Sequence, residues 1–252
     1  MIALNFLPYP TKVLDGEIVA LRQLNPQDPE ELKRLFEIEK HETTQKFMVG
    51  QMKEKDLLNW FSKGDKYHVT YAVIGKSGYV DESEVSKIQG WVHVLRSIGR
   101  HEGRVKEQVF INEADKKKSL LEISFAKYPG AKSGQISSAV RQAVYFLGEE
   151  LGRENIVITA YTSKENIGSR HVLTAAGFIK VGVFKYLPED KDDDLVFILD
   201  WNKLCDRMNK APRRDALNNE FSIVASLQNQ PLDRLHKDKS PRKMVWYRQN
   251  RP

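Results

Sequence analysis

The stretch 120-LLEISFAKYPGAKSGQISSAVRQAVYFLGEELG-152 reads as three parts in succession. Residues 120–126 are dense in aliphatic and β-branched side chains over a strand's length. The next segment, 128-YPGAKSG-134, is built of small residues and turn formers. Val140, Ala143, Val144, Leu147 and Leu151 then recur at i, i+3, i+4, i+7 and i+11, the stripe of an amphipathic helix, with Gly152 as its stop. A strand, a glycine-bearing loop and a helix in this order expose successive backbone N–H groups at a helix N-terminus, where they and the helix dipole can hold phosphate oxygens. The same arrangement also serves as a plain connection in α/β proteins, so both uses stay open from these residues alone.

Working outward, residues 156–161 (IVITAY) form a strand, 166–176 a helix stopped by Gly177, and 178–186 and 195–201 two further strands around the acidic turn 189–194. On the N-terminal side, 17–24 reads as a first strand. Asp28, Pro29 and Glu31 mark the start of a helix over about 29–40: an Asp cap, a proline at the first position, and a glutamate placed to reach back. A short helix is expected around 54–63, then strands over 69–75 and 88–96. Residues 97–119, ending in three lysines, read as a charged mobile insertion, with a hairpin extension at 105–111 as the alternative. Strands and helices alternate only in the second half. The sheet is therefore expected to be mixed, parallel around 120–161 and antiparallel toward its ends.

With 252 residues, 40% hydrophobic and 29% charged, the chain has room for one sizeable core and an appendage, and it is neither collagenous nor wholly disordered. No apolar run approaches the roughly 18 residues of a bilayer span, so no membrane partner is expected. The opening MIALNFLPYP lacks a basic start and is broken by two prolines, unlike a secretory signal. Cys205 is the only cysteine, which excludes an internal disulfide and a cysteine-based metal cluster and favours a cytoplasmic location. The net charge of +6 sits entirely in residues 206–252, and the rest of the chain is balanced.

The pair formed by 120–152 and, about thirty residues on, 166-NIGSRHVLTAAGF-178 resembles the signature of the GNAT superfamily of acyl-CoA-dependent N-acyltransferases. The branch it resembles includes the ribosomal-protein N-terminal acetyltransferases. Glu122-Ile123 matches that branch's fourth strand, Glu149–Gly152 its helix end, and Asn166, Ser169, Val172, Leu173, Gly177 and Phe178 its later motif; Leu21-Arg22 fits the opening strand. The resemblance spans residues 14–202. It implies an α/β (α+β) fold with a mixed, mostly antiparallel central sheet of about six to seven strands flanked by about four helices. This domain is expected over 1–204, with a basic C-terminal extension over 205–252.

The resemblance further implies acetyl-CoA as co-substrate, lying where the fourth and fifth strands part. Its pyrophosphate would rest on Ala131, Lys132, Ser133, Gly134, Gln135 and Ile136. Its thioester would face the strand backbone at Ser124, Phe125 and Ala126, Asn166 and Ser169 would orient the pantetheine arm, and Arg170 and His171 would face its adenosine end or solvent. A base would strip a proton from an amine acceptor that attacks directly. Candidates are Glu122, whose carboxyl could be shifted toward neutrality in a cleft, and His93 on a neighbouring strand. Glu122 reads equally as a surface or ion-paired strand residue, His93 reads more readily as a packed or surface side chain beside Trp91 and Val94, and Asn166 reads equally as a simple helix cap.

Three positions depart from the family pattern. Ala131 stands where an arginine or glutamine is usual, Ile136 where a tiny residue is usual, and Leu173 where many members carry the tyrosine that protonates the departing thiolate. Lys132 or Gln135 are the candidates to replace the missing donor. The tail interleaves Arg242, Lys243, Trp246, Tyr247, Arg248 and Arg251, a composition suited to stacking on bases and neutralising phosphates, or to docking on the domain or on a sister chain as a homodimer. The alternative to an enzyme is therefore a catalytically silent module of this fold that binds RNA or a ribonucleoprotein through its tail.

Overall fold

The computed structural model describes residues 14–15, 18–24, 28–47, 68–109, 113–184 and 194–209. The helix expected at 54–63 and the whole C-terminal extension beyond Asn209 lie outside the described residues.

Among the described residues eight strands form one sheet in the order β1-β2-β3-β4-β5-β6-β8-β7. They are β1 (Leu14–Asp15), β2 (Val19–Gln23), β3 (His68–Gly75), β4 (Ile88–Arg96), β5 (Ser119–Lys127), β6 (Ile156–Ser163), β7 (Phe178–Phe184) and β8 (Asp194–Leu199). All pairings are antiparallel except β5 with β6. That parallel pair falls where the alternation of strand and helix placed it, because a parallel return needs a crossover, here a helix.

The helices among the described residues are α1 (Pro29–Lys40), α2 (Glu42–Phe47), α3 (Gly99–Val109), α4 (Glu113–Lys116), α5 (Gln135–Leu151), α6 (Ile167–Ala175) and α7 (Trp201–Asn209). Helix α5 lays Ile136, Ala139, Val140, Ala143, Val144 and Leu147 on one face of the sheet, against Leu21, Tyr71, Val92, Val94, Leu121 and Ile123. Burying each such aliphatic side chain contributes about 1.5–3 kcal/mol, so this face is the main core.

Two helices cover the other face in separate places. Leu35 and Ile38 of α1 sit on Ala72, Ile88, Trp91 and Ala126, and Val105 of α3 sits on Leu120, Val157, Phe184 and Val196. Asp28 caps α1 as expected, accepting from the N–H groups of Glu30 and Glu31. The Glu31 carboxylate, expected to reach back to the cap, is instead engaged by Arg22 of β2, which ties the helix to the sheet.

Two expectations are corrected. Residues 99–109 and 113–116 are helical, where a mobile insertion or a hairpin was expected. The sequence GRHEGRVKEQV has two glycines and few apolar residues, so its helical signal is weak. Burial of Val105, together with the 2.7 Å Lys106–Glu102 pair one turn apart, secures it. The last strand ends at Leu199, and Trp201 opens α7. Asp200 is the reason: its carboxylate accepts from the N–H groups of Asn202 and Lys203 at 3.0 and 3.2 Å. The Trp201 ring then packs over Gly148 of α5, where an added Cβ would lie 2.6 Å from the indole.

Candidate functional site

Strands β5 and β6 run in parallel register from Ser119↔Ile156 to Glu122↔Thr159 and pair no further. Yet β5 continues to Lys127 and β6 to Ser163, β5 held by β4 and β6 by β8. The two strands therefore part at the Glu122–Thr159 rung. Because they are parallel, the loop after β5 and the turn after β6 lie at the same end of the sheet, on either side of this opening.

The loop after β5 is shaped for an anion. Ala131 N–H goes to Tyr128 O at 2.9 Å, and the next backbone N–H with a protein acceptor is that of Ser138, to Gly134 O at 2.9 Å. The N–H groups of residues 132–137 have none among the described residues. Gly134 precedes α5 with φ +87°, a left-handed turn that glycine makes without steric cost. Of these, the N–H groups of Lys132, Ser133 and Gly134 stand on exposed residues at the start of a 17-residue helix, a place where an anion can be held, while Gln135 and Ile136 are buried.

Ile136 does not crowd this cradle, contrary to its expected bulk there. Its side chain is 3% exposed and points down onto Gly90 of β4, where an added Cβ would come within 2.5 Å of Ile136 Cδ1. Ala131 is buried as well. Neither expected substitute donor stands open over the loop. Gln135 is fully buried with Nε2 donating to Tyr79 O at 3.2 Å, while the exposed Lys132 pairs with Asp81 at 3.1 Å. Ser133 is exposed.

Across the opening, Asn166 Oδ1 caps α6 by accepting from Ser169 N–H at 3.0 Å, and the Arg170 guanidinium donates to Lys164 O at 3.0 Å. Leu173 is buried in the core.

The face between α1 and α3 carries a polar row. Thr70, His93 and Ser124 are cross-strand neighbours on β3, β4 and β5, and Glu122 is two residues from Ser124 on the same face. Ser124 is exposed, so the row opens to solvent there; Phe125 packs on the α5 side and Ala126 under α1. Thr70 Oγ1 and His93 Nδ1 lie 2.8 Å apart. Burial, and after it the nearby His68, hold His93 well below the ordinary histidine range, so its imidazole is neutral at neutral pH. The Glu122 carboxylate is 6% exposed and accepts from Ser97 Oγ at 2.8 Å.

Sequence reasoning passed over three members of this region. Ser97 falls in the stretch 97–119 whose charge makes it read as an insertion. Tyr161 lies on the Glu122 face two residues beyond Thr159, a placement that only the strand register reveals. Glu39 of α1 is 2% exposed, accepts from Trp91 Nε1 at 2.7 Å, and is pushed up to about 7 by burial, against which the tryptophan bond acts. Its signal was present, since it follows Leu32 and Leu35 at helical spacing on the apolar stripe.

An acetyltransferase of the GNAT family from Bacillus anthracis superposes with a TM-score of 0.53 at 17% identity, over 75% of this chain and 98% of its own. The fold is that of the GNAT acetyltransferases. A GCN5-related N-acetyltransferase from Brucella melitensis gives 0.53 at 18% identity, over 81% of this chain and 85% of its own. AAC(6')-Ib, solved in complex with paromomycin and acetyl-CoA, gives 0.55 at 15% identity, over 78% of this chain and 100% of its own. No protein-family model and no curated protein matches the chain. In this sheet the parted strands, the 128–134 loop and the Asn166 turn lie at one end.

Proposed function

We propose that the protein is an acyl-CoA-dependent N-acetyltransferase that passes an acetyl group from acetyl-CoA to a primary amine by direct attack. The observation that carries this reading is the parting of β5 from β6 after Glu122–Thr159, next to the N–H groups of the exposed residues 132–134. Acetyl-CoA supplies the activated acyl group. A diphosphate suits donors that have no protein acceptor, and the downward packing of Ile136 keeps the approach open. Backbone N–H groups of β5 between Ser124 and Ala126, beyond the last rung shared with β6, are the candidates to stabilise negative charge developing on the carbonyl oxygen.

Glu122, held by Ser97, is the base in this reading, and His93 the second candidate. The acceptor enters over Ser124 between α1 and α3. Amine acceptors of this fold include the paromomycin of AAC(6')-Ib, and for this chain a protein N-terminus, a lysine or a small-molecule amine fits equally.

Thermal unfolding with acetyl-CoA, with CoA and without ligand tests the reading. A ligand at a hundredfold over its dissociation constant adds about 2.7 kcal/mol of apparent stability, so a clear upward shift is expected. An unmoved transition at millimolar acetyl-CoA would remove the basis for the transferase.

A further inference from the structure

Arg34 of α1 joins three separate parts of the chain. Its Nε donates to Ile88 O, at the first residue of β4, at 2.8 Å; a terminal nitrogen pairs with Glu84 in the β3–β4 connection; and its guanidinium lies 3.5 Å from the centroid of the Tyr128 ring. The side chain is only 13% exposed, so the stack is partly desolvated, the setting in which a cation over an aromatic face contributes most. Tyr128 is the residue at which the chain leaves β5. Its N–H donates to Gln89 O at 2.8 Å, and its carbonyl accepts from Ala131 N–H at 2.9 Å, closing the turn that leads to Lys132, Ser133 and Gly134. The ring also lies against that turn, since a Cβ on Gly130 would come 3.2 Å from Tyr128 Cε1. The start of the loop therefore rests on a ring that α1 pins.

We propose that Arg34 is a positioning residue for the anion loop: by holding the Tyr128 ring it fixes the turn 128–131 and with it the exposed N–H groups that follow; this rests on the acetyltransferase reading above. Arg34 is not itself the anion's ligand, with Nε on a carbonyl, a terminal nitrogen on Glu84 and its plane against the ring. It acts by preorganisation. A loop already held in place costs the ligand nothing to order, whereas a loop released from the ring must be ordered at each binding event. The loop would grip the same diphosphate before, during and after acyl transfer. Loss of the clamp therefore weakens cofactor binding and leaves the bound complex as reactive as before.

The test uses the full chain, with calorimetry of CoA and steady-state kinetics with acetyl-CoA and a panel of primary amines. Arg34→Met and Tyr128→Leu are each expected to weaken CoA about tenfold and to raise KM for acetyl-CoA by a similar factor, with kcat unchanged. The double variant should be no worse than either, because the two residues act through one contact. Tyr128→Phe, which keeps the ring, should match wild type, while Arg34→Lys, which keeps the charge but not the planar face, should recover little of the affinity. Glu31→Gln loosens the other tie of α1, to Arg22, and leaves the stack alone, so it should bind CoA as wild type does. Additive losses in the double variant, an equal loss in Glu31→Gln, or a fall confined to kcat would overturn the role, as would wild-type CoA affinity in Arg34→Met, and each of these leaves the transferase standing. Failure of wild type to bind CoA would overturn both.

Discussion

Ser97 Oγ and Glu122 Oε1 lie 2.8 Å apart inside the sheet, the hydroxyl donating to the carboxylate from just past the end of β4, where Ser97 N–H is itself fixed to Leu120 O at 2.9 Å. Both residues are buried, so the bond is sheltered from water and holds the carboxylate in one orientation. Ser97→Ala is expected to lose about 1–3 kcal/mol in urea unfolding, the cost of leaving a buried acceptor short of a donor. Ser97→Thr, which restores the hydroxyl, should recover most of it. Equal stability of wild type and the alanine variant would show that the bond contributes nothing.

Glu39 makes stability depend on pH in the sense opposite to a salt-bridged carboxylate. Its ordinary value is 4.5 and the folded one about 7, so the unfolded chain gives up this proton first as pH rises. The group's contribution is fully present below about 4.5 and is lost as pH climbs through about 7, a change of roughly 3 kcal/mol at most. Glu39→Gln keeps an acceptor for Trp91 Nε1 and has no proton to lose. Unfolding at pH 4.5 should therefore be similar for the two proteins, and at pH 8 the variant should be the more stable. A difference independent of pH would assign the effect to packing.

How far the sequence reveals this molecule depends on whether the signal is local. The β5–loop–α5 unit is legible because its strand, glycine loop and helical stripe are contiguous, and the Asn166 cap because it binds a residue three positions on. Helix α3 is hidden because one valine, pressed against Leu120 and Phe184 from distant strands, secures it. Ile136 was expected to obstruct the loop, since sequence shows its bulk but not that Gly90 leaves room beneath it. Glu39 was readable from helical spacing. Tyr161 was not, because its relation to Glu122 exists only through the β5–β6 register.

Gly90 is the floor on which the anion loop stands. A Cβ there would meet the Ala126 carbonyl oxygen at 2.4 Å and Ile136 Cδ1 at 2.5 Å. The isoleucine tip can turn aside, but the carbonyl belongs to the β4–β5 pair and cannot move without breaking register at Trp91↔Ala126. Gly90→Ala is expected to cost about 1–3 kcal/mol, as overpacking does, measured by thermal or urea unfolding. It should also weaken CoA binding by lifting Ile136 and the N–H groups beside it. An unchanged transition would show that β4 and β5 separate more easily than their register implies.

Glu122 and His93 can be separated as bases by one substitution each. His93 is already neutral at neutral pH, so it could accept a proton without prior deprotonation, but its Nδ1 is engaged with Thr70 and burial disfavours the charged form it would become. Glu122 gains a neutral form on accepting the proton, which its buried position tolerates, and Ser97 holds it in place while it does so. Glu122→Gln preserves shape and the Ser97 bond and removes only the basic oxygen. Turnover is expected to fall on the order of 10²-fold with calorimetric CoA affinity unchanged, whereas His93→Gln should lower stability more than kcat at saturating substrate. Unimpaired turnover by Glu122→Gln together with a collapsed rate in His93→Gln would transfer the base to the histidine.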